Sequence, residues 1–167
     1  MCLQFFTIQI VMKKEIEIWG NYILARQQLF ENKIIRSFNN PVEDFSEWLV
    51  AKYCNGQLAQ NINQKDYDVE TVGKSIQVKS IAKDPQNPNG YIITKKDREN
   101  QNATHYAFVF FDNYSPTAVY FVNVEFVRSF NKSQIKREHL ESVCVNIGNE
   151  YGISFNHLKH LFELSFF

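Results

Sequence analysis

Apolar residues along the first quarter of the chain recur at three- and four-residue steps. Ile16, Trp19, Ile23 and Phe30, with Gln27 in the same series, predict a helix over residues 13–36. The run Ser37-Phe38-Asn39-Asn40-Pro41 ends it, because a residue before proline is pushed out of the α region. A second helix is expected over residues 42–55, stopping at Asn55-Gly56. The pattern then changes to that of strands. Two short ones are expected at 65–72 and 75–81, joined by a turn around Gly73-Lys74 with β-branched residues on both sides. Residues 84–90 (DPQNPNG) read as a loop, part of a longer one at 84–104, rich in Asn, Gln and Lys, that either reaches into a groove or is an ordinary surface loop. Strands follow at 105–112 (HYAFVFFD) and 117–127 (TAVYFVNVEFV), with short helices near 133–142 and 155–164. The order helix, helix, hairpin, strand, strand, helix predicts an α+β or α/β sandwich.

At 167 residues the chain fits one domain able to bury a core without metal or disulfide staples. Its 15 Phe and 8 Tyr point to a core rich in sheet. The 18 basic and 18 acidic residues cancel, which excludes holding a nucleic acid by bulk charge and leaves local basic clusters or a bound metal. Cys2, Cys54 and Cys144 are odd in number and lack a C-x-x-C spacing, so neither a zinc site nor a disulfide framework is expected, and a reducing cytoplasm fits. The apolar residues 1–12 are too few to span a bilayer and lack the basic flank and cleavage site of a signal peptide. Met12 followed by Lys13-Lys14-Glu15 looks like an alternative start. Residues 1–11 would then not be native; if they are, the leader is read as an extra strand or a sticky N-terminal segment before a single domain at 13–167.

The candidate chemistry sits on the hairpin. Residues two apart share a face of a strand, so Gln77 and Lys79 point one way while Ile76 and Val78 enter the core. On the preceding strand Asp66, Asp68 and Glu70 share a parity, which places at least one carboxylate opposite the Gln-x-Lys pair. Carboxylate and carbonyl oxygens suit Mg²⁺, and an adjacent lysine can orient a water and stabilise growing negative charge. Glu47 lies on a helix that is apolar on nearly every side, where a carboxylate is costly unless paired or metal-bound. Glu43 and Asp44 are read instead as acids that favour the helix N-terminus.

The stretch Asn40-Pro41-Val42-Glu43-Asp44-Phe45-Ser46-Glu47-Trp48-Leu49-Val50-Ala51 resembles the first block, N-P-V-G-D-Y-A-E-W-L-V-A, of a bacterial group of predicted nucleases in the PD-(D/E)XK superfamily. Asp66-Tyr67-Asp68-Val69 and Gly73-Lys74-Ser75-Ile76-Gln77-Val78-Lys79-Ser80 are similar to its next block, G-Y-D-A followed by G-x-x-Y-Q-I-K-S. A looser match covers Tyr106–Asp112 and Ala118–Val122, so the resemblance spans residues 37–127. It implies a restriction endonuclease-like α/β core, with a central mixed β-sheet flanked by helices. It further implies a Mg²⁺- or Mn²⁺-dependent endonuclease hydrolysing DNA. Asp68 and Gln77 would ligate metal, Glu47 would complete the site, and Lys79 would assist the attacking water. Asp68 is selected over Asp66, which stands where the group has Gly. The wider superfamily carries an acid where this chain has Gln77, and Glu47 or Glu70 can compensate for it.

Lys79–Arg98 contains Lys79, Lys83, Lys95, Lys96 and Arg98 against Asp84 and Asp97, and Arg128, Lys132, Lys136 and Arg137 form a second basic group. Each is either a phosphate-contacting surface or a solvated one. His105, His139, His157 and His160 show no zinc pattern, and no phosphate-cradling glycine loop is present. A double-strand cut uses two sites, with which a homodimer is compatible. The reading from another class is a non-catalytic DNA-binding or protein-interaction module that keeps the fold; a third is a structural protein whose acids satisfy Lys79.

Overall fold

The computed structural model describes residues 2–37, 39–60, 66–83, 91–93, 102–112, 114–129, 134–141 and 145–146, with side chains at all of these except 2–12, 82–83, 91–93 and 145–146. The chain forms two compact units, Met1–Asn39 and Asn40–Phe167.

The first unit is built on α1 (Cys2–Glu31). This helix runs without a break through residues 12 and 13, where the sequence pattern suggested a boundary. No proline interrupts the chain before Pro41, so nothing local removes a helical hydrogen bond. The helix ends five residues before the expected position 36. Lys33 takes a left-handed φ of 56°. Its N–H donates to the Phe30 carbonyl (3.0 Å), and the Ile34 N–H donates to the Leu29 carbonyl (2.9 Å). These two bonds form a Schellman stop that satisfies the last carbonyls.

In the second unit, α2 (Pro41–Tyr53) starts with Asn40, whose side chain accepts from the Val42 N–H at 3.1 Å, and with proline in its first turn. It closes on another Schellman pair. Asn55 has φ 49°, and the Gly56 N–H reaches the Ala51 carbonyl at 2.8 Å. The strands are β1 (Gln57–Leu58), β2 (Val69–Thr71), β3 (Lys74–Lys83), β4 (Tyr91–Ile93), β5 (His105–Asp112), β6 (Ser115–Asn123), β7 (Gln134–Lys136) and β8 (Val145–Asn146), with α3 at Val124–Ser129 and α4 at Arg137–Glu141. The main sheet is six-stranded and mixed, in the order β1-β2-β3-β5-β6-β8, with β3 and β5 parallel and the other pairs antiparallel. A separate two-stranded ladder joins β4 to β7.

Val72 and Gly73 turn the chain between β2 and β3, and Gly73 has φ 72°, a conformation that side chains with a Cβ rarely adopt. Alternation along the strands sends two sets of side chains to opposite faces of the sheet. One face packs Leu49, Val50 and Tyr53 of α2 against Ile76 and Val78 of β3, Val109 of β5 and Val119 of β6. The other buries Tyr106, Phe108 and Tyr120 with Val127 of α3, Ile135 of β7 and Leu140 of α4. Both faces are therefore covered, as the near-continuous apolar character of β5 and β6 requires.

Three sequence readings need correction. The apolar run at 117–127 is not one strand. Asn123 accepts from the Glu125 N–H at 2.8 Å and starts α3, after which Val124 and Val127 are buried at a three-residue step. The helix expected at 133–142 is β7 followed by the shorter α4. Within the loop expected at 84–104, Tyr91–Ile93 forms β4. The loop at 84–90 and the helix near 155–164 lie outside the described residues. No helix among the described residues is long and apolar enough to cross a membrane.

Candidate functional site

The site grows from a mismatch in strand length. On β3, β2 pairs only with Lys74–Ile76, so from Gln77 onward the edge of β3 away from β5 is paired with no strand among the described residues. The last ladder bond runs from the Asp68 N–H to the Ile76 carbonyl at 2.9 Å. The next inward donor, the Val78 N–H, is met by Asp68 Oδ2 at 2.7 Å. The Asp68 side chain thus takes the place of the missing strand. The same Oδ2 accepts a hydrogen bond from Gln77 Nε2.

Gln77 is only 7% exposed, so its amide must find partners inside the protein. With one N–H of Nε2 committed to Asp68, its carbonyl oxygen is the acceptor left to meet a ligand. Lys79 lies two residues along the strand, half-buried. In the ladder with β5, Gln77 and Lys79 are the register partners of Tyr106 and Phe108. Val78 points to the α2 core, as the strand parity predicted.

Above this open edge passes α2. Glu43 and Glu47, one helical turn apart, share a face of it. With Asp68, Gln77, Val78, Lys79 and Ser80 they line a cleft of about 220 Å³. All four candidate catalytic residues, Glu47, Asp68, Gln77 and Lys79, meet there. Asp66 and Glu70 do not line it among the described residues; the Glu70 carboxylate accepts from the Tyr67 hydroxyl at 3.3 Å instead.

Two features escaped the sequence reading. Glu43, assigned to the helix N-terminus, is part of the cleft wall. Asp44, its neighbour, is buried at 8% exposure. The signal for Glu43 was its four-residue spacing from Glu47 on a helix whose positions are mostly apolar.

The donor chemistry suits a hard divalent cation: the carboxylates of Asp68 and Glu47 and the amide carbonyl of Gln77 are all oxygens. No three His, Cys, Asp or Glu side chains among the described residues form a ready-made metal cage. A site using an amide and retaining waters does not require one, so the residues fit a cation held through few protein oxygens.

Of the candidate phosphate contacts besides Lys79, only the Lys83 backbone and part of the second basic group fall among the described residues. Lys83 ends β3 with its backbone opposite Asp112, while Lys95, Lys96 and Arg98 lie outside the described residues. In the second basic group, Arg128 bonds Glu125 at 2.8 Å, Lys136 approaches Glu138 at 3.6 Å, and Arg137 bonds Glu141 at 3.1 Å. These cations are matched by neighbouring carboxylates, which favours the solvated-surface reading for them. His105 stacks on Phe121 with ring centroids 4.6 Å apart, and His139 accepts from the Lys136 N–H at 3.1 Å. His157 and His160 are outside the described residues. Cys54 is a buried free thiol.

No protein-family model matches the chain, and no curated protein is significantly similar to it.

Proposed function

We propose that this chain is a metal-dependent endonuclease of the restriction endonuclease-like kind, acting on DNA phosphodiesters with Mg²⁺ or Mn²⁺. The observation that carries this reading is the convergence of Glu47, Asp68, Gln77 and Lys79 from a helix, a strand end and a strand edge into one cleft. Asp68, Gln77 and Glu47 would hold the cation. A divalent cation bound there supplies polarisation of the phosphate and a lowered pKa for its water. Asp68 is held in place by its bond to the Val78 N–H, so its carboxylate is oriented before any ligand arrives. The Lys79 ammonium offers its charge to the anionic oxygens as negative charge grows during attack. Cytoplasmic location and a homodimer belong to the same proposal.

A second reading, a non-catalytic DNA-binding module, is favoured by one specific contact. The Gln77 amide already donates to Asp68, doing without a cation what two carboxylates could do only around one. Cleavage of plasmid and linear DNA in Mg²⁺ or Mn²⁺ separates the two. Wild-type protein should cut, and Lys79→Ala and Asp68→Asn should each lower the rate at least about a hundredfold. Asparagine keeps an acceptor for the Val78 N–H, so the fold survives the second change. Activity unaffected by both substitutions would remove the site from the chemistry. DNA binding without cutting under any metal condition would select the module.

A further inference from the structure

An amide at position 77 removes one negative charge from a cleft read as a cation site. The sequence pointed to Glu47 or Glu70 as the compensating acid, but Glu70 faces Tyr67 and lies outside the lining. Glu43 is inside it, one turn of α2 before Glu47. With Glu43 included, three carboxylates stand against the Lys79 ammonium, leaving the cleft anionic by the charge that one divalent cation carries.

Glu43 is exposed and Glu47 half-buried, so Glu43 stands toward the mouth of the cleft. The absence of a three-carboxylate cage shows that Glu43, Glu47 and Asp68 do not converge on one point among the described residues. A carboxylate at the mouth, off that point, is suited to accept hydrogen bonds from the waters a hard cation retains.

We propose that Glu43 supplies the charge Gln77 withholds, binding the water shell of a divalent cation from the mouth of the cleft. This rests on the reading of the cleft as a cation site. It makes Glu43 a positioning residue rather than a direct ligand, and it assigns to this side chain a role that its place in the first helical turn alone would not give.

The test is Mn²⁺ binding to the full chain by calorimetry, with the metal-free melting temperature measured in parallel. The proteins compared are wild type, Glu43→Gln, Gln77→Glu, the double variant, Asp68→Asn, and Glu70→Gln as an acid outside the cleft. Glu43→Gln should weaken Mn²⁺ binding about tenfold or more. Gln77→Glu should tighten it, and in that background the loss from Glu43→Gln should shrink to about twofold or less. Glu70→Gln should leave affinity unchanged.

An equal loss from Glu43→Gln in both backgrounds would overturn the compensation. If Glu43→Gln lowers only the metal-free melting temperature while Asp68→Asn abolishes Mn²⁺ binding, the role of Glu43 falls and the cation site stands. Wild-type protein that binds no Mn²⁺ would overturn both.

Discussion

At the scale of single residues, the clearest energetic anomaly is away from the cleft. Tyr53 closes α2 at 8% exposure, and its hydroxyl is buried with no hydrogen-bond partner among the described residues. Burial pushes its pKa from the ordinary 10.0 up to about 12. The folded state thus holds the proton more tightly than the unfolded chain. The resulting stabilisation is fully present below pH 10 and is lost as pH rises toward 12. Tyr120 adds to the same alkaline decline: burial raises its pKa, opposed by the hydrogen bond and charge of Arg137. Tyr53→Phe deletes an unsatisfied hydroxyl while keeping the ring, so it should stabilise the protein by about 1 kcal/mol at pH 8. It should also flatten the loss between pH 10 and 12, as urea unfolding across that range would show. A variant less stable than wild type at pH 8 would mean that the hydroxyl has a partner after all. The residues of the cleft were legible for a different reason. Strand parity fixes the direction of Gln77 and Lys79 relative to Ile76 and Val78, and such parity is local information. The buried state of Tyr53 and Asp44 and the placement of Glu43 depend on what packs across from them, which no local pattern states.

At the scale of elements, stops and starts decided where the expected boundaries were right. The α2 stop was legible because Asn55-Gly56 is a common left-handed pair; the α1 stop was not, because Lys33 takes that role without a glycine. Asn123 interrupts an apolar run that satisfies both a strand and a helix pattern, and only its side-chain cap divides them. Gly56 does a second job besides following the cap. A Cβ there would lie 2.7 Å from the Glu70 carbonyl oxygen, a backbone atom that cannot swing away. The close approach sets how tightly the α2 exit lies against β2, and β2 begins at Val69, the residue following Asp68. Gly56→Ala should therefore destabilise the fold by about 1–3 kcal/mol. Because it shifts β2, it should also weaken Mn²⁺ binding, whereas Gly20→Ala in the interior of α1, with open space around its Cβ, should leave Mn²⁺ binding unchanged and raise stability by up to about 1 kcal/mol. Denaturant titration and calorimetry on the two variants would check the pairing. Equal stability of Gly56→Ala and wild type would show that β2 can move without consequence.

At the scale of the whole molecule, charge sets how a nucleic acid can be held. The formal net charge is zero. Arg128, Lys136 and Arg137 are each matched by a carboxylate, and the cleft itself is lined by more acids than bases. Such a surface repels a phosphate backbone locally, and under the proposed function a divalent cation in the cleft would offset that repulsion. DNA affinity measured at fixed ionic strength should accordingly be weak in EDTA and rise when Mn²⁺ is added. It should rise much less in Asp68→Asn, whose cleft attracts the cation less. Each phosphate neutralised by a lysine or arginine contributes about −0.9 to the slope of log K against log salt concentration, so a protein relying on few such contacts should show a slope no steeper than about −3. Fluorescence anisotropy over a range of KCl concentrations measures both quantities. A steep slope with strong binding in EDTA would shift the weight of recognition to the basic residues between Lys83 and Arg98. The acidic cleft would then serve chemistry alone, with DNA capture carried out by a separate part of the chain.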